Sequence, residues 1–243
     1  MHTINFWHKH YIHRYTLIAL LLCNAIISNA QQNVQENDYK FKRRKFHFGI
    51  IMGVNLTDFK VRYSDDFINN DSIYGITSAT KFGFDLGILT SLHLHKNLEL
   101  RYCPGVSFQE RNLTYNYAPN TLAPVQKKIE SIYWQTPFNL KLKSDPIKDF
   151  KLYCFIGPRF GFDLAANSKA RRAEGLVKLN RKDLALDYGV GVEIHFPLFI
   201  LSPEFKVSNT FFNVHARDEN LIFSRTIQNL YPRTFMFSLI FEG

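Results

Sequence analysis

The chain has 243 residues and a mass of 28.4 kDa, with 30 Lys+Arg against 21 Asp+Glu. Its 46% of apolar residues excludes wholesale disorder, and its three cysteines are too few for a disulfide scaffold. With 23 Phe and 12 Tyr at a mean hydropathy of −0.18, it points to strands rather than helices.

Residues 1–14 carry Lys9, Arg14 and four histidines, with no acidic residue. An apolar run from Leu17 to Ile27 follows, then Ser28-Asn29-Ala30, which places small residues at the −3 and −1 positions of a cleavage site. This is the layout of a signal peptide over 1–30, cleaved before Gln31. The run is short for a membrane anchor, and Leu22 before Cys23 is bulkier than a lipoprotein signal uses. Cleavage removes two basic residues, so the formal charge becomes 9 − 2 = +7, and Cys103 and Cys154 remain. Those two fall on opposite faces of non-neighbouring strands, which argues against a disulfide. For an exported basic chain, anionic lipid headgroups or acidic polymers are expected partners, and nucleic acid is not.

Residues 31–43 are polar and form a lead-in to one β domain over 44–243. From Phe46 the period is two. Phe46, Phe48, Ile50, Met52, Val54 and Leu56 alternate with smaller or more polar residues, and Phe82, Phe84, Leu86 and Ile88 alternate with Gly83, Asp85 and Gly87. The same alternation recurs six more times: 98–109, 132–143, 150–163, 184–196, 199–208 and 234–242. That predicts eight strands. Three connections are short, around Lys96-Asn97, Ser144-Asp145-Pro146 and Pro197-Leu198. Four are long and polar, about 60–80, 112–130, 165–182 and 209–232. Short turns at one end and long loops at the other are the plan of an all-β, up-and-down, eight-stranded outer-membrane barrel, with short turns and termini on the periplasmic side.

The apolar face carries no charge over the middle of the strands. The opposite face mixes glycine with Asp85, Glu99, Arg101, Arg111, Lys141, Lys143, Arg159, Asp163, Asp187, Glu193, Glu204 and Lys206. A charge facing lipid at the midplane costs roughly 2–4 kcal/mol, so the mixed face is assigned to the lumen. A lumen just wide enough for side chains is then filled by ion pairs, with the glycines leaving room for the long Arg and Lys side chains. Tyr102, Tyr133, Trp134, Tyr188 and Tyr231 are candidates for interfacial girdles. The last strand ends in an aromatic, Phe241, third from the C-terminus.

No phosphate loop or metal-spaced Cys/His cluster is present. His93 and His95 share a face at a turn but lack a third ligand in view. His47, His195 and His215 are candidates for a lipid-modifying enzyme, but nothing singles them out, so no enzyme activity and no cofactor are expected. The basic run Lys169, Arg171, Arg172, Lys178, Arg181 and Lys182 in the third long loop is a candidate contact patch for acidic sugars, with a solvated loop as the default.

Several segments resemble the PorT (SprT) family. They are Phe48-Gly49-Ile50 through Gly53-Val54-Asn55 with Asp58-Phe59-Lys60-Val61, and Pro104-Gly105-Val106-Ser107-Phe108 leading to Arg111-Asn112-Leu113-Thr114-Tyr115. Glu130-Ser131-Ile132-Tyr133 before Pro137-Phe138, and Ser202-Pro203-Glu204-Phe205-Lys206, complete the set. Their order and spacing cover about 45–243. The resemblance implies an outer-membrane barrel required by the type IX secretion system of Bacteroidota, which exports proteins bearing a C-terminal sorting domain and in some species supports gliding. It implies partners among other type IX components and transfers no catalytic residue. The competing expectation is a stand-alone structural or adhesive barrel whose surface loops carry the function.

Overall fold

The structure, a computed structural model, describes residues 45–64, 67, 73–117, 124–165, 180–215 and 226–243. The expected signal peptide and lead-in lie outside these residues. Ten strands follow one another: β1 Phe46–Tyr63, β2 Ile73–Ala79, β3 Lys81–His95, β4 Leu98–Tyr102, β5 Gly105–Tyr117, β6 Val125–Lys143, β7 Phe150–Asp163, β8 Lys182–His195, β9 Ile200–Thr210 and β10 Ile227–Glu242. Only Thr80 separates β2 from β3, and only Cys103-Pro104 separates β4 from β5. Two pairs therefore act as single staves, which leaves 10 − 2 = 8 staves. Pro104 has no N–H to continue the ladder, but its carbonyl accepts from Ile88 at 2.9 Å, so the wall stays bonded across the break.

All pairings are antiparallel between neighbouring staves, and β1 pairs both β3 and β10. Over Phe46–Thr57 the sheet thus closes on itself and leaves no edge, the condition for placing strands in lipid, whereas above this β2 pairs with β5 alone. The even-numbered apolar residues of β1 face outward and are exposed, from Phe46 to Val54. Phe82, Phe84, Leu86, Ile88, Leu140, Leu142, Leu152, Ile156, Val190, Phe205, Phe237 and Leu239 continue that surface around the barrel. Ten steps from Phe46 to Leu56 at ~3.3 Å each, tilted by ~40°, give an apolar band ~25 Å tall.

Beyond that band the faces exchange polarity while the period of two continues. On β1 the outward residues become Asp58, Lys60 and Arg62, and the inward ones become Phe59 and Val61. On β5 the outward series passes from Val106 and Phe108 to Glu110, Asn112 and Thr114, and the inward series from Ser107 and Gln109 to Leu113 and Tyr115. Ile129 of β6 and Leu230 of β10 join Phe59, Ile76, Leu113, Tyr115, Val214 and Ile227 in one buried cluster. The exchange marks where the outer surface leaves lipid and meets water. Segments expected to be long polar loops (60–80, 112–130 and 209–232) are therefore partly strand, because a polar outward face in water no longer signals a lumen. The fold stands as an outer-membrane barrel whose strands project beyond the bilayer around an apolar core.

The two faces of β1 give opposite mutational expectations. Val54→Arg, on the lipid face, lowers stability by about 2–4 kcal/mol in lipid vesicles. Lys60→Leu, above the band, changes it by no more than about 0.5 kcal/mol. Urea unfolding followed by tryptophan fluorescence distinguishes the two.

Candidate functional site

Strand alternation turns every second residue of each stave into the lumen, and all twelve predicted lumen side chains lie there, each no more than 9% exposed. Nine of them form ion pairs. In the middle of the barrel Arg101 reaches Glu204 at 2.8 Å, and the Tyr153 hydroxyl donates to the same carboxylate at 3.0 Å. Arg159 reaches Asp183 at 2.8 Å and Asp187 at 3.3 Å, and Lys206 lies 3.4 Å from Asp187. Ser208 links this group, accepting from Arg159 Nε at 3.0 Å and donating to Asp187 at 2.6 Å. Nearer the short turns, Lys141 bonds Glu193 and lies 3.7 Å from Glu99 and 3.9 Å from Glu242, so three carboxylates converge on one ammonium. Lys143 bonds Glu99 and lies 3.7 Å from Glu193.

Asp85, Arg111 and Asp163 sit in the lumen without an ion pair among the described residues. Asp85 accepts from Asn55 at 2.6 Å, and Asp163 accepts from the Ala165 amide at 2.9 Å. Arg111 bonds Gln109 and lies over the rings of Phe59 at 4.8 Å and Tyr133 at 5.6 Å. It therefore joins the polar middle to the apolar core above. Opposite the ion pairs, Ile51, Leu89, Met236 and Ile240 form an apolar patch on the β1, β3 and β10 wall. Inward polar residues of the same wall, among them Asn55, Asp85, Ser91 and Ser238, surround that patch.

Other expectations need correction. Tyr133 is no girdle residue. It points inward, 1% exposed, because it is one residue from Trp134, which faces lipid at 43% exposed. Several glycines make room for aromatic rings rather than for long cations. A Cβ on Gly191 would lie 2.3 Å from the Tyr153 hydroxyl, and one on Gly189 would lie 2.7 Å from the Phe155 ring. Gly161 alone follows the expected logic, with Arg159 Nη1 3.2 Å from where its Cβ would be. Lys169, Arg171, Arg172 and Lys178 lie outside the described residues, whereas Arg181 and Lys182 are exposed. Cys103 and Cys154 are free.

Sequence reasoning passed over Asn55, Tyr153, Asp183 and Glu242. Parity would have found them: Asp183 shares a face with Asp187, and Glu242 with Ser238. His93 and His95 were read as a pair and the others singly, whereas the fold gathers four histidines at one end. His47, His93, His95 and His195 line a vestibule of about 300 Å³ at the short-turn end, with Glu99, Lys143, Lys151, Glu193 and Glu242. The His47 and His93 rings lie 4.7 Å apart, and His93 Nε2 is 2.5 Å from Glu99. At the rim Lys96 and Asp145 pair at 2.8 Å across two turns. A second cavity, about 30 Å³, lies beside Arg101, Glu204 and Lys206. No group of three or more metal-binding side chains occurs among the described residues. The barrel is therefore a cup, with a polar vestibule at the short-turn end, ion pairs in the middle and an apolar core at the other end.

The family comparison agrees with an outer-membrane β-barrel. The sequence matches the family model "Outer membrane protein beta-barrel domain" over residues 29–216. No curated protein sequence matches. Among solved structures, the chain is similar to the outer membrane protein OprG from Pseudomonas aeruginosa, at 13% identity and TM-score 0.48, covering 81% of this chain and 95% of that one. It is also similar to Ail, the attachment invasion locus protein of Yersinia pestis, at 13% identity and TM-score 0.38, covering 82% and 100%. A third is Neisserial surface protein A, at 10% identity and TM-score 0.39, covering 81% and 96%.

Lys141 is the residue on which the mouth depends. Lys141→Met leaves three buried carboxylates short of a cation and lowers stability by about 3–5 kcal/mol. Tyr153→Phe removes one hydrogen bond to Glu204 and costs about 1–2 kcal/mol. Denaturant midpoints in detergent micelles, at equal slope, rank the two.

Proposed function

We propose that this chain, which belongs to the outer membrane protein β-barrel domain family and lies in the outer membrane, is an accessory component of type IX protein export. On this reading it acts by holding protein partners at its ends and performs no chemistry. The observation that carries the binding part is the cup-like interior. A lumen filled by Arg101–Glu204, Arg159–Asp187 and Lys141–Glu193 and covered by an apolar core offers no route for a folded cargo. Contacts are then left to the loops, the turns and the periplasmic mouth. The export part rests on the resemblance of the 48–61, 104–115, 130–138 and 202–206 segments to the PorT (SprT) family, with other type IX components as the partners. Outer-membrane lipids cover the apolar band.

A second reading, a stand-alone structural or adhesive barrel, draws on one observation. The strands continue past the bilayer around the Phe59, Leu113, Tyr115 and Leu230 core, which makes a stiff platform for surface loops.

Deletion of the gene separates the two. On the export reading, a cargo with a C-terminal sorting domain accumulates unprocessed in the periplasm, and the wild-type chain supplied in trans restores its export. Normal export with loss of binding to cells or glycans is the outcome of the adhesive reading.

A further inference from the structure

Above the apolar band the outer wall carries charge, and the charge is unevenly placed. On the β5–β6 side Lys128 is held between Glu110 at 2.9 Å and Glu130 at 3.0 Å. On the β1–β10 side the bases outnumber the acid. Lys60, Arg62 and Arg233 face outward there with Asp58, a formal sum of 3 − 1 = +2. Among the described residues the flanking strands add no charge in this zone: β9 presents Val207 and Asn209 outward, and β2 presents Thr77 and Ala79. We propose that this patch seats the phosphate of an anionic membrane lipid whose acyl chains lie on the apolar band below.

Register builds the patch in tiers. Leu56 and Phe235, opposite each other, are the last apolar pair. One tier up, Asp58 stands opposite Arg233 and accepts from it at 2.9 Å, while the Arg233 guanidinium lies 5.2 Å from the Phe235 ring. Asn209 of β9, opposite Arg233, donates to the Tyr188 hydroxyl at 2.9 Å. This tier is paired within itself. In the next two tiers Lys60 stands opposite Tyr231, and Arg62 opposite Asn229. Asn229 donates to the Tyr231 hydroxyl at 3.0 Å, and the Arg62 guanidinium lies 5.6 Å from the Tyr231 ring. Tyr231 is thereby pinned, and it holds Arg62 on the same face as Lys60. Both cations are exposed, and neither meets a carboxylate among the described residues.

The chemistry and the height of the two cations fit a lipid phosphate. The planar fork of arginine matches phosphate oxygens, and lysine adds a point charge beside it. From Leu56 to Lys60 is four steps, about 10 Å along the membrane normal at ~3.3 Å per step and ~40° of tilt. The polar layer adds roughly 5–8 Å to each face of the hydrocarbon core, and a lysine stem bends down along apolar surface to meet it. Tyrosine at this level suits the same interface. The patch is also continuous with the lipid-facing surface beneath it, where Val54 and Phe237 of the same two strands are exposed. One stripe therefore offers both an apolar bed for the chains and a cationic seat for the headgroup, which a soluble polyanion does not use.

Native mass spectrometry of the full chain in detergent micelles reads headgroup choice directly. The probes are phosphatidylglycerol and phosphatidylcholine with identical acyl chains. A base near an anionic surface is worth roughly fivefold in binding, so the wild-type chain is expected to retain phosphatidylglycerol at least about fivefold better. In the double variant Lys60→Ser, Arg62→Ser the preference falls below about twofold, and Lys128→Ser on the β5–β6 side leaves it unchanged. The heat-dependent gel shift establishes that each variant is folded. No preference in the wild-type chain overturns the proposal, and is the outcome if Asp65 and Asp66, next in the sequence, neutralise the patch. A preference that survives the double substitution, or falls equally in Lys128→Ser, overturns it as well. Inorganic phosphate at millimolar concentration is expected not to displace the lipid; displacement would assign the seat to a free ion and overturn the lipid assignment. The assay uses no cargo, so its failure is distinct from failure of the export reading.

Discussion

Charge inside a barrel of eight staves has to be matched by charge, because a lumen of that width holds side chains instead of bulk water. Among the described residues the acids turned inward are Asp85, Glu99, Asp163, Asp183, Asp187, Glu193, Glu204 and Glu242, and the bases are Arg101, Arg111, Lys141, Lys143, Lys151, Arg159 and Lys206. Eight against seven is near balance. The pairs join strands far apart in the chain: Arg101 and Glu204 are 103 positions apart, and Lys141 and Glu193 are 52 apart. A slip of one residue in any stave would send its charges into lipid and strand their partners. The network therefore fixes register, and register fixes the closure of β10 onto β1.

The outer surface answers to two solvents in succession, and the inner surface compensates. Within the bilayer, Phe and Leu face out and the polar groups are matched inside. Above it, Asp58, Lys60 and Arg62 face out, and Phe59, Val61, Leu113 and Tyr115 pack within. The same eighteen-residue strand thus serves as a membrane stave in its first part and as a soluble β-barrel wall in its last. Arg111 sits at the junction, hydrogen-bonded below to Gln109 and stacked on Phe59 and Tyr133. The apolar core lies at the far end, and the vestibule lies at the short-turn end.

Much of this was legible in the sequence, for a specific reason. Over Phe46–Leu56 and its counterparts, alternation, charge-free apolar faces and turn spacing agree, and lipid leaves only one assignment of faces. What escaped lay where that logic stops. Past Leu56 the outward residues turn polar, so Val61, Leu113 and Ile129 fell within segments expected to be loops when they are the inside of a continuing wall. Tyr133 was misplaced because aromatic character was weighed ahead of parity, although Trp134 beside it must face the other way. Room for Tyr153 and Phe155 at Gly191 and Gly189 depends on pairing across strands, which one strand's pattern does not reveal. The four histidines at the mouth come from strands separated by up to 148 positions (195 − 47), and only closure brings them together.

The central claim is that the interior is a closed, charge-matched cup. Single-channel recording of the purified full chain in a planar bilayer tests it most directly. The account predicts no conductance above the background of the bare membrane, apart from rare, brief events. A large, steady conductance would contradict it and would require an open path through both the ion-pair layer and the apolar core.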